Sequence, residues 1–329
     1  MAGFGKAKDL QVQEEEADEL ASTPVTQRTD SGAFSALKAE FEKLNAGGPK
    51  THIFMGIVGH ENTGKTGIVF DFFQKYCDEI SIGENATGYD GEPKYLAVLD
   101  FDGGGAATKS AFYPDNKHIR CWDPWVMQTG DRTAYDYPAT HDRVMSILQY
   151  TLSEYDQYWG VLVTGVDLWD SVATNCMRIA DLGLAKDGID AADNRGAGTG
   201  RRVEYQWDWA IRTTRFHQMT ALCRGLVKRG VRVFWETHLK MTNYSSANEQ
   251  NAKWRPAWEK ATNNYMYQIV LCERNDITDD SGDVVMSEYT ATFEKSKTDA
   301  SLQGQKSITL RTEQGKRPTW NGLPELRNL

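Results

Sequence analysis

The sequence predicts an α/β protein built on a mostly parallel, doubly wound sheet flanked by helices. Three observations predict it. Short apolar runs of strand length recur along the chain, and most are separated by longer stretches with helical periodicity, the pattern of strands joined by crossover helices. The first run leads directly into Gly59-His60-Glu61-Asn62-Thr63-Gly64-Lys65-Thr66, which fits G-x-x-x-x-G-K-[ST] and needs a strand before it and a helix after it. At 329 residues, of which 40% are hydrophobic, the chain can bury the core of one large domain of this kind and still carry a tail.

The tail comes first. Residues 1–49 read as a separate, largely disordered region. Between Asp9 and Leu20 there are six acidic residues and no basic one, and residues 21–32 are rich in Ser, Thr and Pro. A short amphipathic stretch follows, with Phe34, Leu37, Phe41 and Leu44 at helical spacing, before Asn45-Ala46-Gly47-Gly48-Pro49 breaks it. Such a helix either packs on its own domain or docks as an arm on a neighbouring subunit.

Residues 50–329 form the folded domain. Strands are expected at His52–Val58, Tyr95–Leu99, Gly160–Val163, Val231–Thr237 and Tyr267–Cys272. Helices are expected over Gly67–Glu79, over Thr140–Tyr155, where Val144, Ile147, Leu148 and Tyr155 share a face, and over Val203–Arg229, where Trp209, Phe216, Cys223 and Leu226 do. The last of these should stop at Gly230, after a basic final turn of Arg224, Lys228 and Arg229 that complements the helix dipole.

The octapeptide is the strongest functional signal. Gly59 and Gly64 let the loop curl so that successive main-chain N–H groups point at phosphate oxygens. The helix that follows adds its own unpaired N–H groups and the positive end of its dipole. Lys65 supplies a point charge to the outer phosphates, and the Thr66 hydroxyl can ligate Mg²⁺. All eight residues, Gly59, His60, Glu61, Asn62, Thr63, Gly64, Lys65 and Thr66, are therefore assigned to binding a nucleoside triphosphate. No base-reading motif separates ATP from other triphosphates.

Composition narrows the remaining classes. The formal net charge of −9 argues against a protein coated in basic residues but leaves room for a local basic patch. Cys77, Cys121, Cys176, Cys223 and Cys272 lie far apart with no C-x-x-C pair, which disfavours a zinc site and suggests reduced thiols in a cytoplasmic compartment. No apolar run is long enough to cross a bilayer and no signal peptide opens the chain, so no membrane partner is expected.

Two acids end the second strand. Asp100 and Asp102 are two residues apart, so in extended chain they face the same side at the sheet's carboxyl edge, beside the phosphate loop. One of them, with Asp102 preferred, can orient an attacking water or hold Mg²⁺ through water. A further metal acid is expected after the third strand, Gly160–Val163, but Thr164-Gly165 stand in that place and Asp167 arrives late. Either a turn brings Asp167 to the site or Thr164 does part of the work.

With these parts in order, the chain over roughly Lys50 to Leu310 resembles the RecA/RadA-like ATPase core, closest to the short phage-encoded Sak-type proteins of single-strand annealing and recombination. The resemblance implies an ATPase that uses ATP and Mg²⁺, acts on single-stranded DNA and assembles with itself in the cytoplasm of a host cell. It puts Asp102 in the position of the water-activating carboxylate. It makes Val233-Phe234-Trp235-Glu236-Thr237-His238 a sensor strand, whose polar end, Thr237 and His238, touches the γ-phosphate. It also assigns Lys295 and Lys297, which share a strand face, to reach a neighbour's γ-phosphate, so that charge supplied in trans makes hydrolysis depend on assembly.

Two long loops are candidates for DNA contact. One spans Lys186–Arg202 and closes with Arg201 and Arg202. The other spans Met241–Lys260 and carries Lys253, Trp254, Arg255 and Trp258. Rings beside cations suit single strands, because bases stack on the rings while the cations meet phosphates; the two tryptophans would otherwise be anchors packed under the loop. Two other functions share the same core: a ring-forming helicase or translocase motor, and a nucleotide-gated regulatory module that hydrolyses little, which the irregular third strand favours.

Overall fold

The computed structural model describes residues 53–82, 93–183, 206–242, 253–316 and 318–328. The expected acidic tail with its amphipathic helix, and Arg201 and Arg202, lie outside them.

The strands are β1 (Phe54–Gly59), β2 (Tyr95–Asp100), β3 (Ile119–Trp122), β4 (Met127–Gln128), β5 (Asp131–Tyr135), β6 (Tyr158–Thr164), β7 (Arg232–Thr237), β8 (Leu239–Thr242), β9 (Lys253–Pro256), β10 (Gln268–Thr278), β11 (Val284–Ser296), β12 (Lys306–Glu313) and β13 (Thr319–Trp320). The helices are α1 (Lys65–Ile82), α2 (Gly104–Phe112), α3 (Tyr137–Ser153), α4 (Val166–Cys176), α5 (Gln206–Lys228) and the short α6 (Thr262–Tyr265). One nine-stranded sheet, in the order β13-β12-β11-β10-β1-β7-β6-β2-β3, organises the domain. From β10 through β3 every neighbouring pair is parallel. The chain is therefore α/β with a large, mostly parallel central sheet flanked by helices.

Alternation along the strands sorts side chains to two faces. Phe54 and Val58, Leu99, Val163 and Trp235 face one way and pack with Val144 and Leu148 of α3, Trp169 and Val172 of α4, and Phe216 and Cys223 of α5. Met55 and Ile57, Val98, Leu162 and Phe234 face the other way and pack with Ile68, Phe70 and Phe73 of α1. Burial on both faces is why these strands read as continuous apolar runs.

The five expected strands appear as β1, β2, β6, β7 and β10. Helix α5 ends where its sequence said it should. Gly230 takes a positive φ of 94°, its N–H bonds to the Val227 carbonyl at 3.0 Å, and the Val231 N–H reaches back to Leu226 at 3.1 Å. That is the left-handed glycine termination of a helix. Helix α3 starts three residues earlier than expected because Asp136 caps it, accepting from the Ala139 N–H at 3.1 Å, with Pro138 in the first turn.

The extension β11–β13 departs from the parallel pattern. A tight turn joins β10 to β11: the Asp279 N–H bonds to the Asp283 carbonyl at 2.9 Å, and Gly282 has φ 87°. So short a connection permits only an antiparallel return, and β12 and β13 continue in the same sense.

Candidate functional site: the carboxyl edge of the parallel sheet

Strand β1 is interior to the sheet, between β10 and β7, while the next strand in the chain, β2, lies three places away. Connections leaving toward opposite sides open a crevice at the carboxyl ends of the strands, where α/β sheets bind ligands. Gly59, Thr237, Thr164 and Asp100 end β1, β7, β6 and β2 along that edge.

The octapeptide occupies the crevice. It curls through Asn62 (φ 56°), the one non-glycine with positive φ among the described residues, and Gly64 (φ 77°), then enters α1 at Lys65. Gly59 is required by close approach: a Cβ there would lie 2.5 Å from the Cys272 carbonyl oxygen on β10 and 2.6 Å from Thr63 Oγ1. The curl is held internally. Thr63 Oγ1 donates to the His60 carbonyl at 2.8 Å, and the buried Lys65 Nζ donates to the same carbonyl at 2.7 Å and to Gly59 at 3.4 Å. His60, Glu61 and Asn62 are exposed at the rim. An 18-residue helix starting at Lys65 leaves its first N–H groups and dipole facing the curl.

Three side chains at the strand ends point to the α1 face of the sheet. Asp100 is buried and its oxygens are engaged. Oδ1 accepts from the Gly105 N–H at 2.9 Å and from Thr164 Oγ1 at 3.0 Å, and Oδ2 accepts from the Ala106 N–H at 2.7 Å. Asp100 thus caps α2, and its expected service as a metal ligand gives way to that task. Thr164 also reaches Asp102 Oδ1 at 2.8 Å, so the two acids converge as their spacing required; Asp102 is exposed and accepts from the Gly104 N–H at 3.0 Å.

The third side chain is Glu236. Its Oε2 accepts a 2.8 Å hydrogen bond from Thr66 Oγ1, and the residue is only 2% exposed. Its other oxygen, Oε1, is buried and has no hydrogen-bond partner. Burial pushes this carboxyl up to about 8, against the pull of Lys65 and the Thr66 hydroxyl, and Asp102 and Asp100 push it further. Sequence reasoning missed Glu236, although a glutamate directly after the apolar run Val233-Phe234-Trp235 was a signal of a buried charge with a task.

Asp167 does not join this group. It sits in the first turn of α4, on the opposite face of the sheet, where Oδ2 lies 3.3 Å from His238 Nδ1 and Oδ1 accepts from Thr237 Oγ1 at 3.4 Å. The expected metal role is therefore corrected: the turn at Gly165 (φ 62°) carries Asp167 away from Thr66. Burial raises the Asp167 carboxyl, but the His238 contact outweighs it and leaves it below its ordinary value. His238 is raised in return by that bond.

Lys295 and Lys297 both turn to one side, as their shared face required, but they meet carbonyls of α6: Lys295 Nζ donates to Asn263 and Lys297 Nζ to Asn264 at 2.6 Å. Burial, then the Lys297 charge, lowers the Lys295 amine. Ser296 pairs with Gln268, which pairs with Met55 at the start of β1, so the lysines stand at the far edge of the sheet, roughly 13 Å along the strand from the loop of their own chain.

Of the residues expected to meet DNA, Trp254 and Arg255 are exposed on β9. Lys253 pairs with Thr242 in the β8–β9 ribbon. Trp254 is 52% exposed, and its ring stands edge-on to His60 of the 59–66 loop at 4.7 Å between centroids. Trp258 is corrected: it is 3% exposed, packs over Gly56 and donates from Nε1 to Asn263 Oδ1 at 2.8 Å, leaving no face for a base. It is the anchor under the loop.

Among the described residues no cluster of three or more His, Cys, Asp or Glu side chains could hold a metal by itself. Mg²⁺ does not need one, since it is usually held by one or two protein oxygens together with nucleotide phosphates and water. Thr66 and the unpartnered oxygen of Glu236 fit that requirement. A cavity of about 230 Å³ lined by Asp71, Phe72, Lys75, Asn321, Leu323 and Pro324 does not include the loop. No described helix is long and apolar enough to cross a membrane. No protein-family model matches the chain, and no curated protein matches it.

Proposed function

We propose that the chain is a RecA/RadA-like P-loop ATPase that binds Mg²⁺-ATP at Gly59–Thr66 and works on single-stranded DNA as a self-assembled oligomer. One observation carries the reading: a main-chain curl through Asn62 and Gly64 delivers a buried lysine and a helix N-terminus to the crevice at the carboxyl edge of a parallel sheet. Main-chain amides and the Lys65 ammonium there suit a polyphosphate. Lys65 donates to the Gly59 and His60 carbonyls, and phosphate oxygens would take their place.

Mg²⁺, when bound, neutralises phosphate charge, with Thr66 among its ligands. Asp102, exposed and pinned by Thr164 and the Gly104 N–H, is the group to orient water. His238 at the end of β7, tied to Asp167, is the group to sense the γ-phosphate. Lys295 and Lys297, too far from their own loop, would act on a neighbouring subunit. Trp254 and Arg255 offer a ring and a cation to single-stranded DNA beside the loop. The uncharged Thr164 at the end of β6 favours a second reading, a nucleotide-gated module with slow hydrolysis.

The test is ATPase rate against protein concentration, with and without single-stranded oligonucleotide at low salt, since phosphate contacts weaken as ionic strength rises. A rate per protomer that climbs with concentration and with DNA supports composite active sites. A rate flat in both leaves the gated module, and no retention of any triphosphate with Mg²⁺ rejects the phosphate-loop reading.

A further inference from the structure

We propose that Glu236 on β7, and no acid on β6 or α4, is the carboxylate of the divalent-cation site, paired with Thr66. The inference rests on the nucleotide-binding reading of the loop. It deepens that reading by naming the residue that makes binding depend on the metal.

The argument is one of elimination and position. A cation held by Thr66 would lie on the α1 face of the sheet, because Thr66 is in the first turn of α1. The strand ends on that face supply Asp100, Thr164 and Glu236. Both oxygens of Asp100 are committed to α2 and Thr164. Thr164 carries no charge. Asp167 is on the other face with His238. Glu236 alone touches Thr66, and it alone keeps a buried oxygen with no partner.

An ionised carboxylate in that place is costly unless a cation meets it. Lys65 attracts it from nearby but makes no hydrogen bond to it, because its ammonium donates to the Gly59 and His60 carbonyls. A glutamine would hold the Thr66 hydroxyl equally well, whereas a carboxylate also leaves its second, unpartnered oxygen free to take a cation.

The probe is a fluorescent ATP analogue titrated into the full-length protein, once in EDTA and once in Mg²⁺. Wild type should bind at least tenfold tighter with Mg²⁺. Glu236→Gln should still bind the analogue in EDTA and lose the Mg²⁺ gain. A Glu236→Gln protein that keeps the full gain overturns the proposal, as does a wild type that binds the analogue equally with and without Mg²⁺; in both cases nucleotide binding itself stands. A wild type that binds no analogue under either condition rejects the nucleotide reading, and this inference with it.

A second measurement needs no variant and covers the case in which Glu236→Gln does not fold. Fe²⁺ is substituted for Mg²⁺ in the wild-type protein with ADP, and ascorbate and peroxide are added to cut the backbone near the metal. Cleavage at residues 234–238 supports the assignment. Cleavage confined to residues 100–102 or 165–168, or none above the nucleotide-free control, overturns it.

Discussion

His238 and Asp167 face each other across the carboxyl ends of β7 and α4's first turn, Nδ1 to Oδ2 at 3.3 Å, with Thr237 Oγ1 donating to the same carboxylate. The histidine is raised from its ordinary value by this bond, and the carboxyl is lowered overall because the bond outweighs burial. Stability from the raised histidine is present below its unfolded pKa near 6.5 and is lost as pH rises through the higher folded value. Stability from the lowered acid is present above about 3.8 and is lost as pH falls. The pair should therefore support the fold most between those limits. Both side chains are partly exposed, so the expected contribution is about 0.5–1 kcal/mol. Melting temperature against pH should show wild type losing more stability than His238→Gln between pH 6 and pH 9. Parallel profiles would dissolve the pair's energetic role.

Lys65→Ala removes a buried ammonium that donates to two loop carbonyls. With a triphosphate bound, the same group would make charge-assisted hydrogen bonds worth about 1.5–3 kcal/mol. Nucleotide affinity measured by titration calorimetry should fall roughly tenfold to a hundredfold. Unchanged affinity would remove Lys65 from phosphate binding.

Gly56→Ala should destabilise the domain without touching the 59–66 loop. A Cβ at residue 56 would lie 2.3 Å from the Trp258 ring, which is itself buried in the core and cannot swing clear. Overpacking of this kind costs about 1–3 kcal/mol. Urea unfolding should show a lower midpoint. Recovery in Gly56→Ala/Trp258→Phe would confirm that the two positions compete for one space.

Trp254 and Trp258 are four residues apart and should behave oppositely toward DNA. Trp254 is half exposed beside His60. If it stacks a base, Trp254→Ala should weaken oligonucleotide binding roughly fivefold to a hundredfold, from about 1–3 kcal/mol of stacking. Anisotropy of a labelled single strand at low salt reads the change. Equal binding by the variant would take Trp254 out of the interface.

Much of the scaffold was legible because it depends on neighbours in sequence. The curl at 59–66 is encoded by two glycines and local amides. The alternation of the strands follows from a two-residue period. The end of α5 follows from one glycine in left-handed geometry. The hairpin from β10 to β11 was not anticipated, although its Asp279–Asp283 turn is local.

The residues around the loop divide differently. The amino-acid order by itself determined that a glycine-bounded curl exists at 59–66, that it sits between a buried strand and a helix, and that acids gather after the second strand. It could not say which acid meets Thr66. Glu236 lies 170 residues further along the chain, and only the pairing of β7 beside β1, with Glu236 opposite Ile57, sets its carboxylate against that hydroxyl. The Gly165 turn sent Asp167 to the opposite face, and Trp258 was driven under Gly56 by packing across the sheet. Which face a side chain occupies depends on register and on the strand next door, and those are properties of the assembled sheet.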